Sequence, residues 1–127
     1  MQGSLGDCYF LSILSVLAEV PKRIMSLFIT DRTNEYGIFC IKTWKNGEQR
    51  EVIIDDFFPC TDDGYVCFSK ANGNELWVLI LEKAFAKLHG SYERIEGGYA
   101  HFVMRDLTGA PSYELCLEED TFDIIWK

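Results

Sequence analysis

A thiol, a side-chain amide and a run of glycines stand together near the start of the chain, in Gln2-Gly3-Ser4-Leu5-Gly6-Asp7-Cys8-Tyr9. A thiol attacks a carbonyl as its thiolate, and an isolated cysteine is mostly protonated at neutral pH. Asp7 is a good helix N-cap, so Cys8 falls in the first turn of the helix that follows. Amides at a helix N-terminus carry partial positive charge and favour a thiolate placed there. Gly3 and Gly6 let the backbone approach a bound peptide closely. Gln2 is near enough in sequence to loop back beside the thiol. There its amide would donate to an oxyanion jointly with the Cys8 backbone N–H, a contribution of about 3 kcal/mol per donor. Taken alone, a cysteine at a helix start is weak evidence, since most free cysteines are small buried hydrophobes.

Thiol chemistry also needs a base and a group to orient it. Only His89 and His101 are present. His89 ends a helical stretch and reads as a C-terminal capping or surface residue. His101 follows Gly98 by three positions and could approach a substrate lying along the Gly97-Gly98 stretch.

The elements that must hold these residues are legible from periodicity. Cys8 to Val20 reads as a largely buried helix: Leu11, Leu14, Leu17 and Ala18 share one face, and Phe10, Ile13 and Val20 widen it. Pro21 ends it, and a short helical turn is expected over 23–28. Tyr36 to Trp44 is rich in β-branched and aromatic residues, and Asn46-Gly47 is a hairpin signal before Glu51 to Asp55. Asp62-Asp63-Gly64 marks a second turn before 65–68. Helical spacing returns over 75–88, with Leu76, Leu79, Ile80, Lys83 and Lys87 around the cylinder and Gly90 as its stop. Gly97-Gly98 opens a loop, Thr108-Gly109-Ala110-Pro111 marks another turn, and the last fifteen residues read as a strand or a loose tail. There is no internal repeat.

The chain has 127 residues, enough for one domain over 1–127. With 48% apolar residues it can bury about two thirds of its unfolded surface, which makes it globular rather than disordered. Acids outnumber bases 20 to 12, and no basic stripe is visible, so nucleic-acid binding is disfavoured. Five cysteines at 8, 40, 60, 67 and 116, without a C-x-x-C pair, indicate neither a disulfide framework nor a zinc knuckle. Reduced thiols and a cytoplasmic location are expected. The Cys8–Val20 stretch is too short and too interrupted for a membrane span, and it lacks a signal peptide's pattern.

Four stretches, in order, resemble the calpain family, a branch of the papain-like cysteine proteases. The Gln2–Tyr9 string with Leu11 is similar to the family's active-site signature. Asp55-Asp56-Phe57-Phe58-Pro59 resembles its Asp-Asp-apolar-apolar-Pro segment. Gly73-Asn74-Glu75-Leu76-Trp77 and the run from Leu81 to Glu93 resemble its second long helix and exit. Gly97-Gly98 with Asp106-Leu107-Thr108-Gly109 resembles the stretch lining the substrate cleft. The match covers residues 2 to about 111.

The resemblance implies an α+β, papain-like subdomain with a buried central helix bearing the nucleophile, a second long helix and a small antiparallel sheet. It implies a cysteine-type endopeptidase core acting on polypeptides, with Cys8 as nucleophile and Gln2 as oxyanion donor. Gly6, Gly97 and Gly98 would offer backbone groups to an extended peptide. Glu75 matches an acidic position that helps hold calcium in regulated members, while its other reading is a carboxylate complementing a helix start. Calcium wants six to eight oxygens, so Glu75 alone makes no site, and this chain is expected to bind calcium weakly or not at all. Trp77 is expected in the core. Tyr9 stands where the best-known relatives carry Trp. In the family, the catalytic His and Asn come from a second subdomain; neither His89 nor His101 lies in a segment similar to the family's catalytic-histidine motif. The isolated chain is therefore expected to be inactive until that partner subdomain supplies them. A non-catalytic peptide-binding or regulatory module is the alternative, and a purely structural protein a third reading.

Overall fold

The structure is a computed structural model that describes residue 6, residues 8–66 and residues 76–115. Within these the fold is α+β. Helix α1 spans Cys8–Ala18, and α2 spans Pro21–Met25. Strands β1 (Ile38–Lys45) and β2 (Glu48–Asp55) form one antiparallel hairpin. Helix α3 is Trp77–His89, a 3-10 turn covers Glu93–Ile95, and α4 is Ala100–Thr108.

Phe10, Leu14 and Leu17, spaced four and three apart, bury the inner face of α1. Ser12 and Ser15 on its outer face bond back to the carbonyls of Tyr9 and Leu11 at 2.8 and 3.0 Å. Val20, expected to widen the buried face, is 41% exposed because the helix has already ended. Pro21 does not merely stop α1: it is the first residue of α2, where its missing N–H costs nothing and its fixed φ suits a helix start. That helix begins two residues earlier than periodicity indicated.

Asn46 and Gly47 both have positive φ (53° and 80°), the two-residue turn that suits the right-handed twist of a hairpin. It sets Lys45 opposite Glu48, so Phe39 faces Ile54 and Ile41 faces Val52 on the core side. On its other edge β1 is held by the segment after α2, with Lys42 N–H donating to the Leu27 carbonyl at 2.7 Å. The second turn is a smaller hairpin closed by a Cys60–Val66 bridge.

Helix α3 is buried on most sides, and its Phe85 stacks on Phe10 of α1 with ring centroids 4.7 Å apart. It starts at Trp77, with Leu76 as N-cap and 48% exposed, so Leu76 is no part of the buried cylinder. Trp77 is half-buried against the core. Gly90 ends the helix as expected, its N–H reaching the Ala86 carbonyl at 2.8 Å.

Helix α4 replaces what reads in sequence as loop between two turns. Val103 and Leu107, four apart, bury its inner face, and Gly109 closes it in the left-handed conformation (φ 74°). Residues 113–115, the described start of the last fifteen residues read as a strand or loose tail, form no regular element. Among the described residues no helix is long and apolar enough to cross a membrane.

Candidate active site

Cys8 is the first residue of α1 and its side chain is exposed. The thiol therefore stands at the electropositive end of a helix whose inner face is core, and it opens to solvent. Gln2, Asp7 and Glu75, expected respectively as oxyanion donor, N-cap and partial calcium ligand, lie outside the described residues, as do Gly73 and Asn74.

The Gly97-Gly98 stretch is brought to this same helix start by three contacts. The Gly97 N–H donates to the carbonyl of Gly6 at 2.9 Å, two residues before the thiol. The Tyr9 hydroxyl, one residue after it, donates to the Ile95 carbonyl at 2.8 Å. The Tyr9 ring also lies flush against Gly98. A Cβ there would come within 2.7 Å of the ring carbons Cε2 and Cζ, closer than real side chains approach. Gly98 is thus glycine because an aromatic ring occupies the space a side chain would need. Three of the residues expected to bind substrate (Gly6, Gly97 and Gly98) border one rim with Cys8. Tyr9, whose identity gave no hint of this role, is the residue that joins them.

Past this rim, Tyr99 and Phe102 are exposed and His101 packs against both rings, at centroid distances of 5.6 and 4.1 Å. A mostly apolar groove, lined by Ala18, Ile24, Met25, Phe28 and Trp77 with Asp31 as its acidic member, opens at the other end of α1. Ten residues of helix rise put it roughly 15 Å from Cys8, so it is not the thiol's cleft.

His89 is neither a capping nor a surface residue. It is half-buried, packed at a tilt against Phe85 with centroids 4.4 Å apart, and sits between Lys45 and Asp106. Lys45 Nζ lies 3.1 Å from His89 Nδ1. An ammonium has no lone pair, so Nδ1 is the acceptor and the neutral ring carries its proton on Nε2. That proton is directed toward Asp106 Oδ2, 3.2 Å from Nε2 though not in line for a good hydrogen bond. Burial pushes the His89 pKa below its ordinary value, Lys45 and Arg105 push it the same way, and Asp106 opposes them in part. Asp106 itself is fully buried and bonded through Oδ1 to Arg105 Nε at 3.1 Å. His89 is therefore engaged away from Cys8, His101 lies against the Tyr99 and Phe102 rings, and the Cys8 thiol forms no hydrogen bond with a described residue.

The Asp55-Asp56-Phe57-Phe58-Pro59 segment and the lysines of α3, separate in sequence, meet in space. Lys83 Nζ bonds the Asp55 carboxylate and the Phe57 carbonyl, and Lys87 Nζ caps the Ile53 carbonyl at 2.6 Å. The Lys83 hydrogen bond, helped by the Phe57 amide, holds the Asp55 carboxyl below the usual carboxylate range. These are scaffold contacts that fix α3 against β2.

Residues 1–127 match the family model described as calpain family cysteine protease. The chain belongs to the calpain family of cysteine proteases. It is 48% identical over 117 residues to the calpain-type cysteine protease DEK1 of Arabidopsis thaliana, a match covering 91% of this chain and 5% of that protein. Calpain-9 of Mus musculus is 37% identical over 132 residues (99% of this chain, 19% of that protein). The calpain-2 catalytic subunit of Homo sapiens is 39% identical over 119 residues (90% and 17%). The chain thus spans a small part of the curated calpains it matches, and its α+β architecture is that of the first half of the calpain catalytic core. Among the described residues of this calpain-family chain, no three His, Cys, Asp or Glu side chains converge as a metal site.

Proposed function

We propose that residues 1–127 form the nucleophile-bearing subdomain of a cysteine-type endopeptidase core. The Cys8 thiolate attacks the carbonyl carbon of a peptide bond, forming a carbon–sulfur bond while Gln2 and the Cys8 N–H stabilise the oxyanion. The C–N bond then breaks as a histidine returns a proton to the leaving amine, and water hydrolyses the thioester. Gly97 and Gly98 bind the substrate backbone in extended form, with Gly6 beside them on the same rim. His and Asn come from a second subdomain: His89 is held between Lys45 and Asp106, and His101 lies in no segment similar to the family's catalytic-histidine motif. Calcium dependence is what the family resemblance implies for the full-length protein, with Glu75 as one acidic ligand.

The observation that supports this reading most is the joint placement of an exposed Cys8 at a helix start and of Gly97, hydrogen-bonded to Gly6, on the same rim. A peptidyl epoxide tests it, with iodoacetamide as a peptide-free control. Cys60 is also exposed. Exposure alone therefore predicts labelling at both thiols, whereas a cleft predicts that the peptidyl reagent selects Cys8 and that Cys8→Ser abolishes the selectivity. Labelling should still be slow in this chain for want of a base, and faster when a His- and Asn-bearing calpain subdomain is supplied. Equal modification of Cys8 and Cys60 by both reagents would remove the protease reading.

A further inference from the structure

Among the described residues, Tyr9 is the side chain beside the nucleophile that grips the wall bordering the same rim. The wall is the short run from Ile95 through Gly98, and it is not paired into the β-hairpin. What holds it to the start of α1 is a pair of bonds on either side of Cys8 in sequence. Gly6 accepts from the Gly97 amide upstream, and Tyr9 donates to the Ile95 carbonyl downstream. Ile95 is buried, so its carbonyl end is anchored in the core, and Tyr9 reads the position of that anchor directly. The ring fills the only space that a side chain at 98 could take. Wall and helix start therefore move together through Tyr9.

We infer that Tyr9 is a positioning residue for peptide binding: its hydroxyl sets the distance between the Gly97-Gly98 backbone and the Cys8 sulfur. The inference rests on the endopeptidase reading and adds to it the group that places the Gly97-Gly98 wall beside the nucleophile. A peptide held by Gly97 and Gly98 meets the sulfur only if the wall is placed correctly, and a displacement near 1 Å can cost about a hundredfold in reaction. The hydroxyl is the separable part. Phenylalanine keeps the ring that packs on Gly98 and removes the donor, whereas 4-aminophenylalanine, introduced by stop-codon suppression, keeps a donor at the same ring position.

The experiment compares the wild-type chain, Tyr9→Phe and the 4-aminophenylalanine protein at position 9. Two quantities are read: amide hydrogen exchange over residues 95–98, and the ratio of Cys8 labelling rates for the peptidyl epoxide and iodoacetamide. Loss of one hydrogen bond predicts exchange at the Gly97 amide roughly tenfold faster in Tyr9→Phe, and a labelling ratio lower by about fivefold. Iodoacetamide labelling stays unchanged, and the amino variant restores both quantities. A purely structural tyrosine would leave the ratio unmoved, since it depends on where the peptide sits. Unchanged exchange and ratio in Tyr9→Phe, with the wild type still favouring the peptidyl reagent, overturn the role of Tyr9 alone. A wild-type chain with no preference for the peptidyl reagent overturns the cleft itself and this inference with it.

Discussion

Replacing Asp106 by Asn removes the charge at the meeting point of three elements. Its carboxylate is 1% exposed, with Arg105 Nε at 3.1 Å, His89 Nε2 at 3.2 Å and Lys45 Nζ at 3.8 Å. Lys45 ends β1, His89 ends α3, and Arg105 and Asp106 belong to α4. Breaking a fully buried ion pair from one side costs about 3–5 kcal/mol. Here the surviving cations are about a third exposed, 33% for Lys45 and 37% for Arg105, and can rehydrate. The asparagine also escapes the desolvation penalty of a buried carboxylate and keeps an oxygen for Arg105. These offsets bring the expected loss to about 2 kcal/mol, or roughly 6–10 °C in Tm for a domain of this size. Urea titration at pH 7.5 with circular dichroism measures it, with an unchanged slope required so that the midpoint alone reports stability. Lys45→Gln is the matched control. It leaves Arg105 on Asp106 and should cost about half as much. A loss under about 0.5 kcal/mol, or a gain, would show that desolvation already cancels the attraction and that the cluster does not tie α4 to β1 and α3.

Two further outcomes follow from the same geometry. The folded state holds His89 below its ordinary pKa of 6.5, chiefly through burial and then through Lys45. The unfolded chain therefore takes up a proton that the folded chain resists, and stability is full above 6.5 and falls as pH drops below it. The urea midpoint should decrease from pH 7.5 to 5.5, and His89→Gln should remove that part of the decrease; an identical slope in the variant would count against the assignment. At Gly109, φ is 74° and an added Cβ would lie 2.6 Å from Trp44 Nε1. Gly109→Ala combines a left-handed backbone penalty of about 1 kcal/mol with overpacking of 1–3 kcal/mol, so thermal unfolding should show a loss of about 2–4 kcal/mol. A loss below 1 kcal/mol would mean that Trp44 swings aside freely.

Local rules in the sequence determined a good part of this protein. The spacing of Phe10, Leu14 and Leu17 made α1, Asn46-Gly47 set the hairpin register, and Gly90 ended α3 where a left-handed stop was legible. The string around Cys8 carried the family in its residue types alone. Helix α4 escaped notice because nine residues between two turns show little more than the Val103 and Leu107 pair, and burial of that face depends on the hairpin and α1. Only tertiary structure decided what distant residues do to one another. His89 looks like a helix-end surface residue until β1 brings Lys45 and α4 brings Asp106 against it. Tyr9 looks like an aromatic neighbour of the thiol until chain reversal sets Ile95 and Gly98, almost ninety residues away, under its hydroxyl and ring. Periodicity speaks for the face a residue presents within its own element. The partner waiting on that face is chosen by how the elements pack.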